Sequence, residues 1–214
     1  ISLWWPAPGK FRRALSYQSG GSPLRRQYDL HKLSGLGSAL VLSLLAATGF
    51  YLEFPDAVIS VVRWISPVQD TSPQAEPRSD LRQGAALILP AQAVAIAREP
   101  FPAARVMWLG LPHDQQDTFA VGLQQPGEVR QAGGHSEVWI DQYSGAVLRV
   151  QDWQHFTGGE LFLAWLFPLH NGEAFGLAGR WLICVTGLMP LILYVTALRM
   201  WWMKRTARLR QRSR

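Results

Sequence analysis

LSGLGSALVLSLLAATGFYL, residues 33–52, contains no charged side chain. Neither does WLICVTGLMPLILYVTAL at 181–198. A helix rises about 1.5 Å per residue and the hydrocarbon core of a bilayer is roughly 30 Å thick, so each run spans it or nearly does. A buried helix of a large soluble enzyme has the same composition, and the flanks decide between the two. In residues 1–32, Lys10, Arg12, Arg13, Arg25, Arg26 and Lys32 stand against Asp29 alone, a net charge of +5. Residues 199–214 hold seven Lys and Arg and no acid, net +7. The interval 33–198 is net −6, which closes on the +6 of the 214-residue chain. Cations beside membrane helices stay in the cytoplasm. Both ends are therefore expected to be cytoplasmic, with the middle outside. Basic ends also suit nucleic acid. Beside two spans the expected neighbour is membrane lipid, and no nucleic acid.

The chain opens ISLWWPAPGKFRR, and its second apolar run ends in MWWMKR. Tryptophans at headgroup level with cations beyond them mark a helix leaving the bilayer. Trp201 and Trp202 fit that device for the second span. Trp4 and Trp5 repeat it, so residues 1–5 are expected to be the last turn of an earlier transmembrane helix, stopped by Pro6 and Pro8. An interfacial N-terminal segment is the competing reading. On the first reading the chain is the C-terminal part of a longer protein. Cys184, the single cysteine, lies within the second run and reads as a small apolar side chain.

The expected organisation follows. Residues 1–30 combine the end of a preceding helix with a cytoplasmic loop. Residues 31–54 form the first span, ended by Pro55. Residues 55–165 form an external domain whose lead-in, 55–89, is irregular. Residues 166–202 form the second span, which has an interfacial start and runs from near His170, and 203–214 form a basic tail. GELFLAWLFPL (159–169) is apolar but interrupted by Pro168. Within the middle, PAQAVAIAR (90–98) reads as a helix with Pro in its first turn. RVMWLGL (105–111), TFAVGL (118–123), EVWID (137–141) and AVLRV (146–150) read as strands, and YSG makes the last two a hairpin. The result is one helix on a small antiparallel sheet, a unit of about sixty residues, small enough to need outside support.

Five histidines are the candidates for chemistry. His113 and His135 lie in loops of the external domain and read as solvated. His155, in DWQHFTGG, reads as an interfacial residue near the outer surface. His31 and His170 differ, because each stands at the entrance of a span, where polar side chains are costly and usually functional. Gly35 follows His31 by one helical turn on the same face. Gly172, Gly176 and Gly179 follow His170. Such glycines leave room for a haem held by imidazole. They equally let helices pack closely, with the histidines bound to water or headgroups. His31 enters from the cytoplasmic side and His170 from the outer side, roughly 30 Å apart along the membrane normal. They would serve two haems, each needing a second axial ligand from elsewhere. Arg180 suits a haem propionate, an ion pair with Glu173, or a position snorkelling to the interface. Arg26 and Lys32, near His31, have the propionate and snorkelling readings too. No catalytic triad, phosphate loop, dinucleotide fingerprint or zinc spacing occurs, so a hydrolase has no support.

WWPAPGKFRRAL, DLHKLSGLGSALVLSLLAATGFYL and PLHNGEAFGLAGRWLICVTGL, with the final MWWMKR, resemble the PepSY-associated transmembrane family. The middle, from LPAQAVAIAREP to SEVWIDQYSGAVL with its Asp141–Gly145 hairpin, is similar to a PepSY domain. The resemblance implies a membrane α-helical fold, here two transmembrane helices that are half of a four-helix bundle, plus a small α+β PepSY-like extracytoplasmic domain. It implies the bacterial inner membrane and a ferric-siderophore reductase with two b-type haems per complete protein. His31 would then ligate the inner haem iron and His170 the outer one. The implied partners are the N-terminal half or a homodimer partner, a cytoplasmic electron donor and a ferric siderophore. Trp153, His155 and Trp165 are candidates for the external docking surface. A membrane-anchored PepSY module without redox chemistry is the alternative.

Overall fold

A computed structural model describes residues 12, 15–70, 75–82 and 84–212. Trp4, Trp5, Pro6 and Pro8, which carry the expectation of an earlier helix, lie outside the described residues. The chain divides into two units, Ile1–Ala46 with Trp181–Arg214, and Ala47–Arg180.

In the first unit, Ser22 caps helix α1 (Pro23–Glu53) by accepting from the Arg25 N–H at 3.3 Å, with Pro23 at the first helical position. Asp29 is fully buried and accepts from Arg25 Nε (3.2 Å), Lys32 Nζ (3.1 Å) and the Gln18 N–H (3.3 Å). The second apolar run is not one helix. Pro190 has no N–H for the Thr186 carbonyl, and the run divides into α5 (Gly176–Gly187) and α6 (Met189–Arg212). Pro23–Glu53 and Glu173–Gln211 are long and apolar enough to cross a membrane. Their leucines face outward: Leu40 is 82% and Leu191 61% exposed. Side chains of a soluble core would be covered by protein, so these helices suit an apolar solvent.

The second unit begins with the last turns of α1. Pro55 does more than stop that helix. It opens α2 (Pro55–Val62), with Asp56 in the first turn, where a carboxylate meets the helix dipole. The irregular lead-in expected from residue 55 is therefore helical at its start. Helix α3 (Pro90–Arg98) and strands β1 (Arg105–Gly110), β2 (Thr118–Gln124), β3 (Ser136–Asp141) and β4 (Val147–Gln151) lie where the periodicity places them. The strands form an antiparallel meander in chain order. Phe119, Val121 and Leu123 alternate inward on β2, as Val138 and Ile140 do on β3. They meet Ala93 and Ala97, four residues apart on α3, whose small side chains bring the helix close to the sheet.

The β3–β4 turn is organised by Asp141. One carboxylate oxygen accepts from the Tyr143 N–H (3.0 Å), the Ser144 N–H (2.6 Å) and the Ser144 hydroxyl (2.7 Å). The other accepts from the Asp80 N–H at 3.2 Å. Burial alone would raise its pKa, and these hydrogen bonds reverse the direction. On the sheet face away from α3, the Arg149 guanidinium stacks 3.8 Å from the centre of the Trp139 ring. Beside it, burial pushes Glu137 up to about 7, with Glu76 adding to the rise and Arg149 opposing it. A carboxyl that ionises near 4.5 when unfolded but near 7 when folded weakens the fold as pH rises between those values. Glu137→Gln is therefore expected to raise the thermal midpoint at about pH 8 and to leave it unchanged at about pH 4. A midpoint difference independent of pH would contradict this.

Helix α4 (Gly158–Asn171) starts with a reciprocal cap. Thr157 Oγ1 accepts from the Glu160 N–H (3.2 Å), and the Glu160 carboxylate accepts from the Thr157 N–H (2.8 Å). Pro168 was expected to interrupt this segment, yet the helix continues through it. Proline leaves the carbonyl four residues back, that of Ala164, without its helical donor. His135 Nε2 supplies one at 3.2 Å. His135 is thus not the solvated loop residue expected from the sequence. It is half-buried, and burial, with Arg130 nearby, keeps its imidazole below the ordinary pKa.

Candidate functional site

His31 lies on α1, eight residues past the helix start, and its ring is half-buried. Its Nδ1 is 2.9 Å from the hydroxyl of Thr196 on α6. That hydroxyl has one proton, which it donates to the carbonyls of Ile192 (2.7 Å) and Leu193 (3.0 Å). With that proton on a carbonyl, the hydroxyl oxygen is free to accept from His31 Nδ1–H, the tautomer that leaves Nε2 with its lone pair. Nε2 makes no hydrogen bond among the described residues. Thr196 is buried at 5% exposure, so the pair is shielded from competing water. Gly35 lies one turn on, where an added Cβ would stand 3.4 Å from the Leu193 side chain.

The second unit holds a matching pair. His170 Nδ1 is 2.9 Å from the hydroxyl of Thr48, which is 1% exposed on the last part of α1. The next residue, Gly49, permits the approach: a Cβ there would stand 3.2 Å from His170 Cε1. The backbone around His170 differs from the expected continuous span. His170 belongs to the last turn of α4, not to the apolar run that follows. Gly172, at φ +83°, ends α4, a 3-10 turn covers Glu173–Phe175, and α5 starts at Gly176. Gly172 and Gly179 meet backbone to backbone across this elbow. These two glycines are occupied by packing, and only Gly176 of the three opens onto free space.

The remaining candidates are dispersed. Arg180 is exposed, and its Nη2 reaches Gln131 Oε1 at 3.3 Å. It does not pair with Glu173, which is buried and accepts from the Gln131 N–H (3.0 Å) and from Asn171 Nδ2 (2.9 Å). Lys32 is committed to Asp29. Arg26 is exposed and lines a cleft with Arg199 and Trp202. His113 is exposed, and His155, also exposed, pairs with Asp152 at 3.0 Å. Trp153 forms a 3-10 turn with His155, while Trp165 lies on α4, 39% exposed. Cys184 is exposed on α5.

An imidazole held at Nδ1 and free at Nε2 is the state that ligates a metal, and the outer hydrogen bond fixes its direction and raises its basicity. Among the described residues no three His, Cys, Asp or Glu side chains cluster to hold a bare metal ion. One imidazole per site suits an iron whose other ligands come with a macrocycle, so the donor set fits b-type haem. The sequence reading missed both threonines. Thr48 is the only Thr in the first apolar run, and this was the available signal. A family model described as the PepSY-associated TM region matches residues 1–204. No curated protein matches the chain.

Proposed function

We propose that this chain, which belongs to the PepSY-associated transmembrane family, serves in a di-haem b-type reductase. Electrons would pass from the cytoplasmic side of the bacterial inner membrane to a ferric siderophore outside it. The supporting observation is the repeated His–Thr pair, in which each imidazole has Nδ1 bound to a buried hydroxyl and Nε2 without a hydrogen bond among the described residues. Bound haem would supply a one-electron carrier at each site. His31 would hold the inner iron and His170 the outer, with Thr196 and Thr48 fixing their rings. Arg180 would neutralise a propionate. His31 is the only histidine in 1–46 and 181–214, so its iron would take its second ligand from other helices or a second copy. Siderophores hold Fe(III) through hard oxygen donors, which bind Fe(II) weakly. One electron per iron therefore releases the metal. Trp153, His155 and Trp165 are the proposed docking surface.

A membrane-anchored PepSY module without redox chemistry is favoured by one observation. Gly172 and Gly179 pack against each other, and Gly35 against Leu193, rather than lining open space. A reduced-minus-oxidised spectrum of the complete protein in detergent separates the readings. The expected result is about two b-type haems per protein, reoxidised on adding a ferric siderophore. Absence of haem after expression with ample haem supply would overturn the reductase reading.

A further inference from the structure

The first unit holds a cleft lined by Arg26, whose other reading is as a partner for an inner haem propionate. Tyr17, Arg26 and Gln27 face Arg199, Trp202 and Met203 across about 520 Å³. Gln27 is four residues before His31, and Arg199 and Met203 follow Thr196 by three and seven. The cleft therefore continues the same α1–α6 seam, one to two turns toward the basic ends. Two guanidiniums line it and no carboxylate does. The neighbouring cations, Arg25 and Lys32, share the buried Asp29 as their ionic partner. Arg26 and Arg199 have no ionic partner among the described residues. Two like charges facing one volume repel unless an anion stands between them.

The walls name the anion's source. Trp202 is 62% and Tyr17 46% exposed, amphipathic rings of the kind that sit at headgroup level. From the cleft α1 leads directly into the uncharged 33–52 run, which places the guanidiniums at the depth of lipid phosphates. We propose that the cleft seats the headgroup of an acidic phospholipid, its phosphate held between Arg26 and Arg199. A guanidinium fork matches phosphate oxygens in a way a point charge does not. Lys204, Arg205 and Arg208 line a separate cleft with Trp201 on α6 alone, and attract acidic lipid only diffusely. The seat differs because cations from two distant segments converge on one volume. The proposal rests on the membrane placement and not on haem.

The test uses the complete protein and native mass spectrometry from detergent, with phosphatidylglycerol or phosphatidylcholine added. Phosphatidylglycerol is expected to be retained and phosphatidylcholine not. Arg26→Gln and Arg199→Gln should each cut retention about tenfold. The double variant Lys204→Gln/Arg205→Gln removes more charge and should change it less than about twofold. Arg26→Lys and Arg199→Lys should retain an intermediate amount, and they decide the matter should the Gln variants fail to insert. Equal loss from the double variant would mean diffuse attraction and overturn the seat. So would equal retention of phosphatidylcholine, or full displacement by inorganic phosphate. A haem spectrum altered by Arg26→Gln with lipid retention unchanged would reassign Arg26 to a propionate and overturn it as well.

Discussion

If the proposed di-haem reading holds, His170→Ala is expected to remove about one of two haems from the complete protein and to leave the spectrum of the other in place, and His31→Ala to do the converse. The independence follows from the pairing. His31 is held by Thr196 and His170 by Thr48, and the two pairs share no residue. Haem quantified per chain and the split of the reduced α-band check it. The threonines extend the test. Thr196→Val keeps the shape of the side chain but deletes the hydroxyl that meets Nδ1, leaving a shielded ring nitrogen without its partner. Loss of such an outer hydrogen bond weakens metal ligation by about 10- to 100-fold. Thr196→Ser restores the hydroxyl and is expected to recover most of the affinity. If the histidines were structural, each Ala variant would cost only the hydrogen bond, about 1 kcal/mol, and no visible spectrum would change. That result would leave the anchored PepSY module as the reading.

The sheet was legible because its signals are local. TFAVGL alternates between faces with period two, and IDQYSGA contains its own turn, Asp141 closing the loop on Ser144. The spans were legible because twenty uncharged residues in sequence leave few other structures. What escaped was tertiary. Pro168 interrupts a helix in isolation, and only the fold brings His135 to the Ala164 carbonyl that proline leaves open. Pro55 reads as a stop from one side and as a first-turn residue from the other, and the eight residues PDAVISVV are too short for a periodic signal. Thr48 and Thr196 merge into their apolar runs, where a hydroxyl bonded to its own helix is ordinary. Their meaning arises only from the histidines they meet, 122 and 165 residues away. The two histidines themselves draw notice in the sequence, because a polar ring beside an apolar run stands out in composition alone.

Gly172→Ala is expected to disable the His170 site with no change to any ligand. Gly172 stands at φ +83°, where an L side chain costs about 1–2 kcal/mol. An added Cβ would also lie 2.6 Å from the Gly179 carbonyl carbon and 2.7 Å from the Arg180 nitrogen. Backbone cannot yield as a flexible side chain does, so the α4–α5 elbow has to open, at a further cost of about 1–3 kcal/mol. The elbow starts two residues after His170, and buried Glu173 ties it to the Gln131 N–H and Asn171. Opening it shifts His170 relative to Thr48, whose 2.9 Å contact has little slack. The complete protein should lose about 2–5 kcal/mol of stability, and its outer haem affinity should fall about 10- to 100-fold. The inner haem should be spared. Gly176→Ala is the control: its φ of +59° imposes strain of its own, but nothing stands within 4 Å of the added Cβ. It should therefore lower the thermal midpoint and keep both haems. Equal haem loss in the two variants would show that backbone strain alone governs the site. Haem retained in both would show that the elbow does not position His170.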